Sequence, residues 1–294
     1  MEDDIKVTVC VVTYNQGKFI RQCLQSLVDQ KTSAKFDIIV SDDCSTDDTP
    51  EILKEFAIRY PEVVKPILHQ SNIGPYKNFI YTHQQATGKY IAHMDGDDYA
   101  LPGKLEQQIR FLDENPNCNI VWHPMDIEFP DGRIIQPNHK LKSELYSRQF
   151  HRGDIIKLIA IGGHSSKMYR SEVRDFELPS FDVVDYFANV EQVGEGYAAF
   201  TGENSLGVYR CHIGIASSGP KTRRILAKCF LYFCRKYPEY KLQANTASLT
   251  YLVADSKNFR STSWVFAKTY CQTFHIFSFF EFLKILKTIK LMKA

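Results

Sequence analysis

Short apolar runs alternate with helix-period stretches along the first 125 residues of the chain. The apolar runs are rich in β-branched residues and lack polar alternation, which is typical of strands buried on both faces of a parallel sheet. The stretches between them repeat apolar residues every three or four positions, which predicts amphipathic helices. The predicted strands are 7–12, 36–41, 63–68, 89–94 and 119–122, and the predicted helices are 17–30, 48–60, 76–87 and 102–114. A period of about thirty residues is expected of βαβ units, so we predict a doubly wound α/β fold.

The remainder of the chain has a weaker pattern. "FPDGRII" predicts a turn between short strands, residues 181–193 predict a helix, and residues 197–212 predict a strand pair. From residue 220 the chain becomes basic and aromatic. The chain is predicted to divide into a first domain over 1–219, with halves 1–125 and 126–219, and a helical extension over 220–294.

Polar loops follow each of the first four predicted strands. They read "TYNQGK", "DDCSTDD", "HQSNIG" and "DGDD". Carboxyl ends of parallel strands meet at one edge of a sheet, and ligands of such folds bind there. The pattern therefore predicts one site built from several loops, although Ser45 and Thr46 would serve equally as helix N-caps.

The "DGDD" loop places the carboxylates Asp95, Asp97 and Asp98 within four positions. Such a cluster suits a hard divalent cation, Mg²⁺ or Mn²⁺, which can also grip a diphosphate. An EF-hand is excluded, because Tyr99 and Ala100 stand where that loop needs an oxygen ligand and a glycine. The GxGxxG, P-loop, HExxH and GxSxG motifs are absent. A metal–diphosphate site is the interpretation that remains.

Three stretches closely resemble the N-terminal half of family 2 glycosyltransferases, which have the GT-A fold. They are "VVTYNQGKFIRQCLQSLVDQ", "DIIVSDDCSTDDT" and "YIAHMDGDDYALPGKLEQQ". The resemblance covers residues 5–125 and continues more thinly to residue 212. It implies a mostly parallel sheet flanked by helices. It also implies inverting, metal-dependent transfer of a hexose from a nucleotide-diphosphate sugar, most simply a UDP-sugar, to a hydroxyl group.

The resemblance implies nucleotide-binding roles for residues of the first two loops. Thr13, Tyr14 and Asn15 would form the loop that cradles the nucleotide. Asp43 would accept a hydrogen bond from the uracil ring, and Asp42 would support that loop. The sequence leaves open which of the two aspartates has which role.

The resemblance also implies a DxD element at Asp95-Gly96-Asp97. Asp97 would bind the metal on the donor diphosphate, with Asp95 on the ribose or on metal-bound water. Asp98 would add to the metal shell. His212 would approach the diphosphate or the metal, although an isolated histidine is as readily structural.

The catalytic base falls on Asp185 by the same resemblance. A surface carboxylate on an amphipathic helix is the alternative, and Asp182 is a rival for the role. His164 would face the acceptor or simply occupy a turn. Lys77 would contact phosphate or remain solvated.

Composition narrows the class of protein. With 36 basic and 34 acidic residues the formal charge is +2, which gives no signal for nucleic-acid binding. The N-terminus "MEDDIK" is not a signal peptide. No apolar run reaches the ~18 residues of a membrane-spanning helix. Eight cysteines without a CxxC pair predict reduced thiols in a cytoplasmic protein.

Residues 274–294 join an aromatic stretch, "FHIFSFFEFL", to the lysines Lys284, Lys287, Lys290 and Lys293. On a helix these lysines sweep one half of the wheel, while Ile285, Ile289 and Met292 keep to the other. One interpretation is peripheral contact with an anionic membrane, at the inner face of the plasma membrane. The other is a helix packed on the catalytic domain. Membrane contact would suit a lipid-linked acceptor in bacterial surface-polysaccharide assembly, of O-antigen or capsule.

Two rival functions are carried forward. A sugar nucleotidyltransferase would need a glycine-rich basic loop after the first strand, which "TYNQGKF" is not. A non-catalytic nucleotide- or glycan-binding protein would have lost one of its site residues, yet Asp95, Asp97 and Asp185 are all in place. The processive motif QxxRW is absent, so we predict transfer of a single sugar. The donor sugar, the acceptor, the linkage and the oligomeric state are left open.

Overall fold

A computed structural model describes residues 5–211 and 219–293, without the side chains of 139–141 and 291–293. The strands are β1 (Val7–Thr13), β2 (Phe36–Asp42), β3 (Val64–Leu68), β4 (Tyr90–Asp95), β5 (Tyr99–Ala100), β6 (Cys118–Trp122), β7 (Asp126–Glu128), β8 (Ile134–Ile135), β9 (Met168–Arg170), β10 (Tyr197–Phe200) and β11 (Gly207–Arg210). The helices are α1 (Ile20–Val28), α2 (Thr49–Arg59), α3 (Pro75–Gln84), α4 (Lys104–Glu114), α5 (His139–Tyr146), α6 (Arg152–Leu158), α7 (Asp185–Gln192), α8 (Pro220–Lys236), α9 (Lys241–Lys257), α10 (Ser263–Gln272) and α11 (Ser278–Lys293).

Seven strands form the main sheet, in the order β10-β6-β9-β4-β1-β2-β3. Strand β1 runs parallel to β2 and β4, and β2 runs parallel to β3. Strand β9 is antiparallel to both β4 and β6. This arrangement confirms the predicted mostly parallel α/β sheet.

The apolar pattern of the first 125 residues produces these elements directly. Every residue of β1 except Val12 is buried, as expected of a central strand covered on both faces. Helix α1 buries four side chains at helical spacing, which places one stripe on the sheet. It begins at Ile20 rather than at residue 17, because Asp47 Oδ2 accepts the Gly17 N–H and holds that residue in the loop.

Four short strands form a second sheet, in the order β5-β11-β7-β8. The predicted turn at "FPDGRII" is confirmed, since it joins the antiparallel strands β7 and β8. The predicted strand pair within 197–212 is wrong as a pair, because β10 and β11 belong to different sheets. Gly202, with φ of 143°, redirects the chain between them in a conformation that other residues rarely adopt.

The predicted helix over 181–193 begins at Asp185. Val184 is extended, with φ of −122° and ψ of 168°, and the preceding Val183 is buried. Both residues are β-branched, and such side chains favour extended backbone over helix. The helical pattern of the sequence therefore starts about one turn before the helix itself.

Two compact units make up the chain. The first comprises residues 1–148, 162–176 and 198–214, and the second comprises 149–161, 177–197 and 215–294. The first unit contains the four polar loops and nearly all of both sheets, while the second contains α6, α7 and α8–α11. All eight cysteines are free, and five of them are buried.

Helix α11 packs on α9 within the second unit. Phe282 and Ile285 are buried there, so the side of the helix that carries Ile285 serves packing rather than contact with a membrane. The large apolar side chains that remain exposed nearby are Phe274, Ile276, Phe277, Phe279, Phe280 and Leu283. Among the residues that the structure describes, every helix is too short or too polar to cross a bilayer.

Candidate functional site

The loop after β1 is bonded to the loop after β2. The Asn15 N–H donates to Ser45 Oγ at 2.8 Å, and the Asn15 side-chain oxygen accepts the Thr46 N–H at 2.8 Å. Asn15 has φ of 52°, in the left-handed region that asparagine tolerates better than most residues. Thr13 is buried at the end of β1, whereas the Tyr14 ring is partly exposed. The loop predicted to cradle a nucleotide thus has a fixed backbone and an accessible ring.

Asp42 and Asp43 are both buried at the end of β2, and each holds a loop. Asp42 accepts the N–H of Ser45 at 3.0 Å and also its hydroxyl. Asp43 accepts the Ile73 N–H at 2.7 Å and the Gly74 N–H at 3.0 Å, one on each carboxylate oxygen. Burial raises the pKa of Asp42 from its usual value. The nucleotide-binding roles of the two residues stay predictions.

Gly96 brings the "DGDD" loop close to the end of β1. A Cβ at this position would lie 2.5 Å from Gln16 Oε1 and 2.9 Å from Thr13 Cβ. No side chain fits at those distances, so the sequence needs glycine between the two aspartates. The close approach places Asp95 and Asp97 beside the loop that follows β1.

We refer to Asp95, Asp97 and Asp98 as the carboxylate cluster. Burial, followed by the charge of Asp95, raises the pKa of Asp97 to about 6. The same two causes raise the pKa of Asp98 well above its usual range. Asp98 accepts hydrogen bonds from the Ser165 hydroxyl at 2.5 Å and the Arg210 N–H at 2.9 Å. Its carboxylate therefore braces the loop, and its predicted addition to a metal shell stays a prediction.

Asp95 lies against two histidines. Its Oδ1 is 3.1 Å from His93 Nε2 and 3.5 Å from His164 Nδ1. Burial alone would raise the pKa of Asp95, but His164 and His93 together hold it well below its usual range. Burial lowers the pKa of His93 to about 3, so His93 is a neutral donor to an ionised carboxylate.

His164 was predicted to face the acceptor or to occupy a turn, and the structure places it in a short 3-10 turn beside Asp95. Its ring packs on His93 with centroids 3.7 Å apart and an angle of 35° between the ring planes. Its Nε2 is buried without a hydrogen-bond partner in the described part of the chain. An acceptor-side role for His164 stays a prediction.

The donors around Asp95 fit a divalent cation. One ligand atom each from His93, Asp95 and His164 lie within 4.8 Å of one another. Both ring nitrogens of His93 already have partners, Asp95 Oδ1 and His83 Nε2, so within this set Asp95 and His164 are better placed to bind a cation. The sequence predicted carboxylates with His212 instead. Carboxylate oxygens suit Mg²⁺ and Mn²⁺, and imidazole favours transition metals, so these donors are compatible with a divalent cation. His212 lies outside the described residues.

Two residues that brace the cluster were missed in the sequence. Ser165 Oγ accepts the Asp95 N–H at 3.0 Å and also donates to Asp98, so it joins two members of the cluster. Arg210 is buried and donates to the Asp97 carbonyl at 2.7 Å and to Glu128 at 3.1 Å. Both residues lie between residues 125 and 212, where the thin resemblance to the family was the only signal for them.

Asp185 belongs to the second unit and is exposed at the first position of α7. Its Oδ1 accepts the Tyr186 N–H at 2.8 Å. The rival Asp182 forms a surface ion pair with Lys221 at 3.5 Å. Lys77 is exposed on the first turn of α3. The role of Asp185 as a base stays a prediction.

The part of the chain that contains these loops matches the sequence profile of a known protein family. The sequence profile described as "Glycosyl transferase family 2" matches residues 8–175, which include β1, β2, β4 and the carboxylate cluster. The chain belongs to glycosyl transferase family 2. The match covers the predicted strands whose loops form the candidate site, and it confirms the family that the three sequence stretches resemble.

Relatives of this family 2 chain include an uncharacterized protein of Mycobacterium tuberculosis (strain H37Rv). It is 32% identical over 223 residues, which cover 74% of this chain and 62% of that one. The chain therefore matches less than two thirds of the length of this relative.

Two solved structures have the same fold. TarS of S. aureus, in complex with UDP-GlcNAc, aligns with a TM-score of 0.63 and 21% identity, covering 82% of this chain and 71% of that chain. The mannosyltransferase PcManGT of Pyrobaculum calidifontis, in complex with GDP-Man and Mn²⁺, aligns with a TM-score of 0.58 and 17% identity, covering 98% and 86%. The likeness confirms the predicted GT-A fold.

Proposed function

We propose that this family 2 chain is an inverting, metal-dependent glycosyltransferase. It moves one sugar from a nucleotide-diphosphate sugar, a UDP-sugar in the first instance, to a hydroxyl of a glycan or lipid-linked acceptor. The observation that carries the proposal is the carboxylate cluster at the carboxyl end of β4, with Asp97 and Asp98 buried, beside the loops that follow β1 and β2. Ligands of open α/β sheets bind at that edge.

The chain's own residues would divide the work. Asp97 and Asp95 would hold the cation, and the depressed pKa of Asp95 keeps its carboxylate available as a ligand. A bound Mn²⁺ or Mg²⁺ supplies positive charge where the leaving diphosphate becomes negative. The Tyr14 ring is free to lie against a nucleobase, since it is exposed beside the fixed loop at Asn15.

Asp185 would remove the proton from the acceptor hydroxyl as that oxygen attacks the anomeric carbon. Attack opposite the leaving group inverts that centre, so an α-linked donor gives a β-linked product. An exposed carboxylate at a helix start can be reached by an acceptor in water. Replacing Asp185 with Asn should abolish transfer and preserve nucleotide binding, whereas Asp182→Asn, which only breaks a surface ion pair, should preserve both.

Release of the nucleotide from a panel of sugar donors tests the donor and the metal together. We expect slow hydrolysis of one UDP-sugar with Mn²⁺, none with a chelator, and none in Asp97→Asn. Asp131→Asn is the control, since Asp131 lies in an exposed turn. Hydrolysis that survives chelation or the Asp97 substitution would refute the metal role. Silence with UDP-, GDP-, dTDP- and CMP-sugars, without nucleotide binding, would favour the binding-protein alternative.

We also infer that the second unit meets an anionic membrane through residues 274–283, which we call the aromatic segment. Phe277 and Phe280 are 59% and 62% exposed, and the exposed Lys284 and Lys287 follow them on α11. Exposed aromatic rings next to lysines match the chemistry of a headgroup region. Such contact suits a cytoplasmic enzyme with a lipid-linked acceptor, at the inner face of the plasma membrane, as in bacterial surface-polysaccharide assembly.

Co-sedimentation with vesicles tests this contact. Wild-type protein should sediment with vesicles that contain anionic phosphatidylglycerol. It should remain in the supernatant when the vesicles are pure phosphatidylcholine. The double change Phe277→Ser and Phe280→Ser should abolish binding. Phe259→Ser is the matched control, because Phe259 is a 97% exposed phenylalanine outside the aromatic segment. Equal binding by the double variant and wild type would reject the aromatic segment as the contact.

A further inference from the structure

A row of buried side chains leads from Asp95 into the first unit. Behind the contact with Asp95, His93 Nδ1 lies 2.9 Å from His83 Nε2. His83 Nδ1 in turn lies 2.6 Å from the Tyr169 hydroxyl oxygen. These three residues come from β4, α3 and β9, and none is more than 3% exposed. We call Tyr169, His83 and His93 the histidine chain.

The direction of the hydrogen bonds follows from the chemistry of the rings. A neutral imidazole has one N–H donor and one acceptor nitrogen. Burial disfavours the charged form of both histidines, so each ring has one N–H donor and one acceptor nitrogen. In the outward direction, Tyr169 donates to His83, His83 Nε2–H donates to His93, and His93 Nε2–H donates to Asp95. Every contact in the row then has one donor and one acceptor.

The opposite, inward direction, in which His93 donates to His83 and His83 donates to Tyr169, fails at the contact between His93 and Asp95. His93 would then donate from Nδ1 to His83, and its Nε2 would carry a lone pair. That lone pair would face an oxygen of Asp95 at 3.1 Å with no proton between them. His93 is fully buried, so its Nε2 lone pair would have no proton to accept and would be repelled by the carboxylate oxygen. The outward direction is the one in which His93 and Asp95 attract each other.

We propose that the histidine chain runs outward and fixes the orientation of the Asp95 carboxylate in the nucleotide-sugar site. Tyr169, His83 and His93 are therefore positioning residues that act through Asp95. This assignment rests on the proposed function for the role of Asp95, whereas the direction of the hydrogen bonds does not. Groups that hold a metal-binding carboxylate in this way typically change metal affinity or activity by about 10–100-fold when they are removed.

The surroundings fit a row that excludes water. The Phe79 ring packs on His83 with centroids 4.1 Å apart and on His93 with centroids 5.2 Å apart. Ser165 Oγ holds the backbone N–H of Asp95 at 3.0 Å, so the residue is fixed by its backbone as well as by its side chain. A carboxylate held at both places has little freedom to turn away from a ligand.

Imidazole tautomers test the direction without any donor or metal. Long-range ¹H–¹⁵N spectra of the metal-free protein should show His83 and His93 as Nε2–H tautomers, with assignments from His83→Gln and His93→Gln. An Nδ1–H tautomer at either position would overturn the proposal. Because this measurement needs no turnover, it decides the direction even if every sugar nucleotide proves inert.

Paired substitutions test the positioning role. Tyr169→Phe removes the hydroxyl at the far end of the row, and Tyr90→Phe is the matched control. Tyr90 is also fully buried, but its hydroxyl donates to Asp113 at 2.6 Å, outside the histidine chain. Tyr169→Phe should change the His83 spectrum and lower donor hydrolysis, while Tyr90→Phe should do neither. Equal effects of the two changes would reduce Tyr169 to a packing residue.

His93, which contacts Asp95 directly, gives a larger expected effect than Tyr169. His93→Leu removes the donor and should lower donor hydrolysis and Mn²⁺ affinity by about 10–100-fold. His93→Gln keeps a side-chain N–H and should recover most of that loss. If both variants fold and lose hydrolysis and Mn²⁺ affinity equally, His93 fills space only and the positioning role is wrong.

Discussion

The carboxylate cluster and the aromatic segment treat their side chains in opposite ways. In the cluster, the carboxyl groups of Asp97 and Asp98 are polar groups that the first unit buries, and Asp98 is held by Ser165. In the aromatic segment, phenylalanine rings that could be buried stand in water, as Phe280 does at 62% exposure. The carboxylate cluster buries polar groups at a cost in stability, whereas the aromatic segment leaves apolar side chains exposed to water.

The buried carboxyl groups and the exposed phenylalanine rings point to different kinds of ligand. A buried carboxylate costs free energy unless donors or a cation meet it, so its retention favours a site for a small charged molecule. An exposed apolar patch is typical of contact with a partner or a membrane. The comparison therefore separates where the chain would carry out chemistry from where it would meet a surface.

Helix α11 gives the largest expected effect, within the aromatic segment itself. Phe282 is 9% exposed, while Phe280, two positions away, is 62% exposed. Phe282→Ala should lower the free energy of unfolding by about 3–5 kcal/mol through the cavity it leaves. Phe280→Ala should change it by less than about 0.5 kcal/mol. Urea denaturation measures both, and similar values would remove the distinction between the two sides of α11.

Gly96 tests the close packing of the carboxylate cluster. Gly96→Ala places a Cβ 2.9 Å from Thr13 Cβ, which is fixed at the end of β1, and should cost about 2–3 kcal/mol of stability, because the loop must move. Donor hydrolysis should fall with it. Gly219→Ala is the control, since nothing lies within 4 Å of its Cβ and φ is −69°. A neutral Gly96→Ala would show that the two loops need not approach so closely.

Ser165 tests whether the cluster depends on its donors. Ser165→Ala leaves Asp98 without one of its two hydrogen bonds, and should cost about 2 kcal/mol because one partner is a carboxyl group. Ser166→Ala is the neighbouring control, since that buried hydroxyl bonds only to the Gly163 carbonyl and should cost about 1 kcal/mol. Thermal or urea unfolding measures the difference. The reverse order would mean that Ser165 does not brace the cluster.

Lys104 gives an effect that appears as a dependence of stability on pH. Its ammonium group is fully buried and donates to the Ser165 carbonyl at 2.7 Å. Burial lowers the pKa of Lys104 to about 7. Between that pH and the usual lysine pKa, the unfolded chain binds the extra proton, so stability should rise with pH by up to about 1.4 kcal/mol per unit.

Replacing Lys104 with Met should remove that rise. The measurement is the free energy of unfolding at pH 7, 8 and 9 for the variant and for wild type. Lys77→Met, at an exposed lysine, should keep the wild-type slope. If the rise of stability with pH persists in Lys104→Met, it arises from titratable groups other than Lys104.

Periodicity was enough to predict the strands and helices of residues 1–125, because those elements bury regular apolar faces. The start of α7 was less predictable, since Val184 fits a helical pattern yet is extended. The separation of β10 from β11 was hidden because a glycine at positive φ leaves no periodic signal.

The site was predictable only where residues share a strand end. Asp95 and Asp97 follow one strand and could be found from it. Ser165 and Arg210 reach the cluster from distant parts of the sequence, so only the fold brings them there. His83 has no motif at all, and its meeting with His93 depends on the packing of α3 on the sheet.

Asp43 has a consequence for how occupancy of the site could be observed. Its two oxygens hold the amides of Ile73 and Gly74, so those two protons exchange with water only when the carboxylate lets them go. A ligand that bonds to Asp43 would share these two oxygens and change how strongly they hold the two amides. Hydrogen–deuterium exchange at these two amides is therefore a built-in gauge of binding, readable without a label and without turnover.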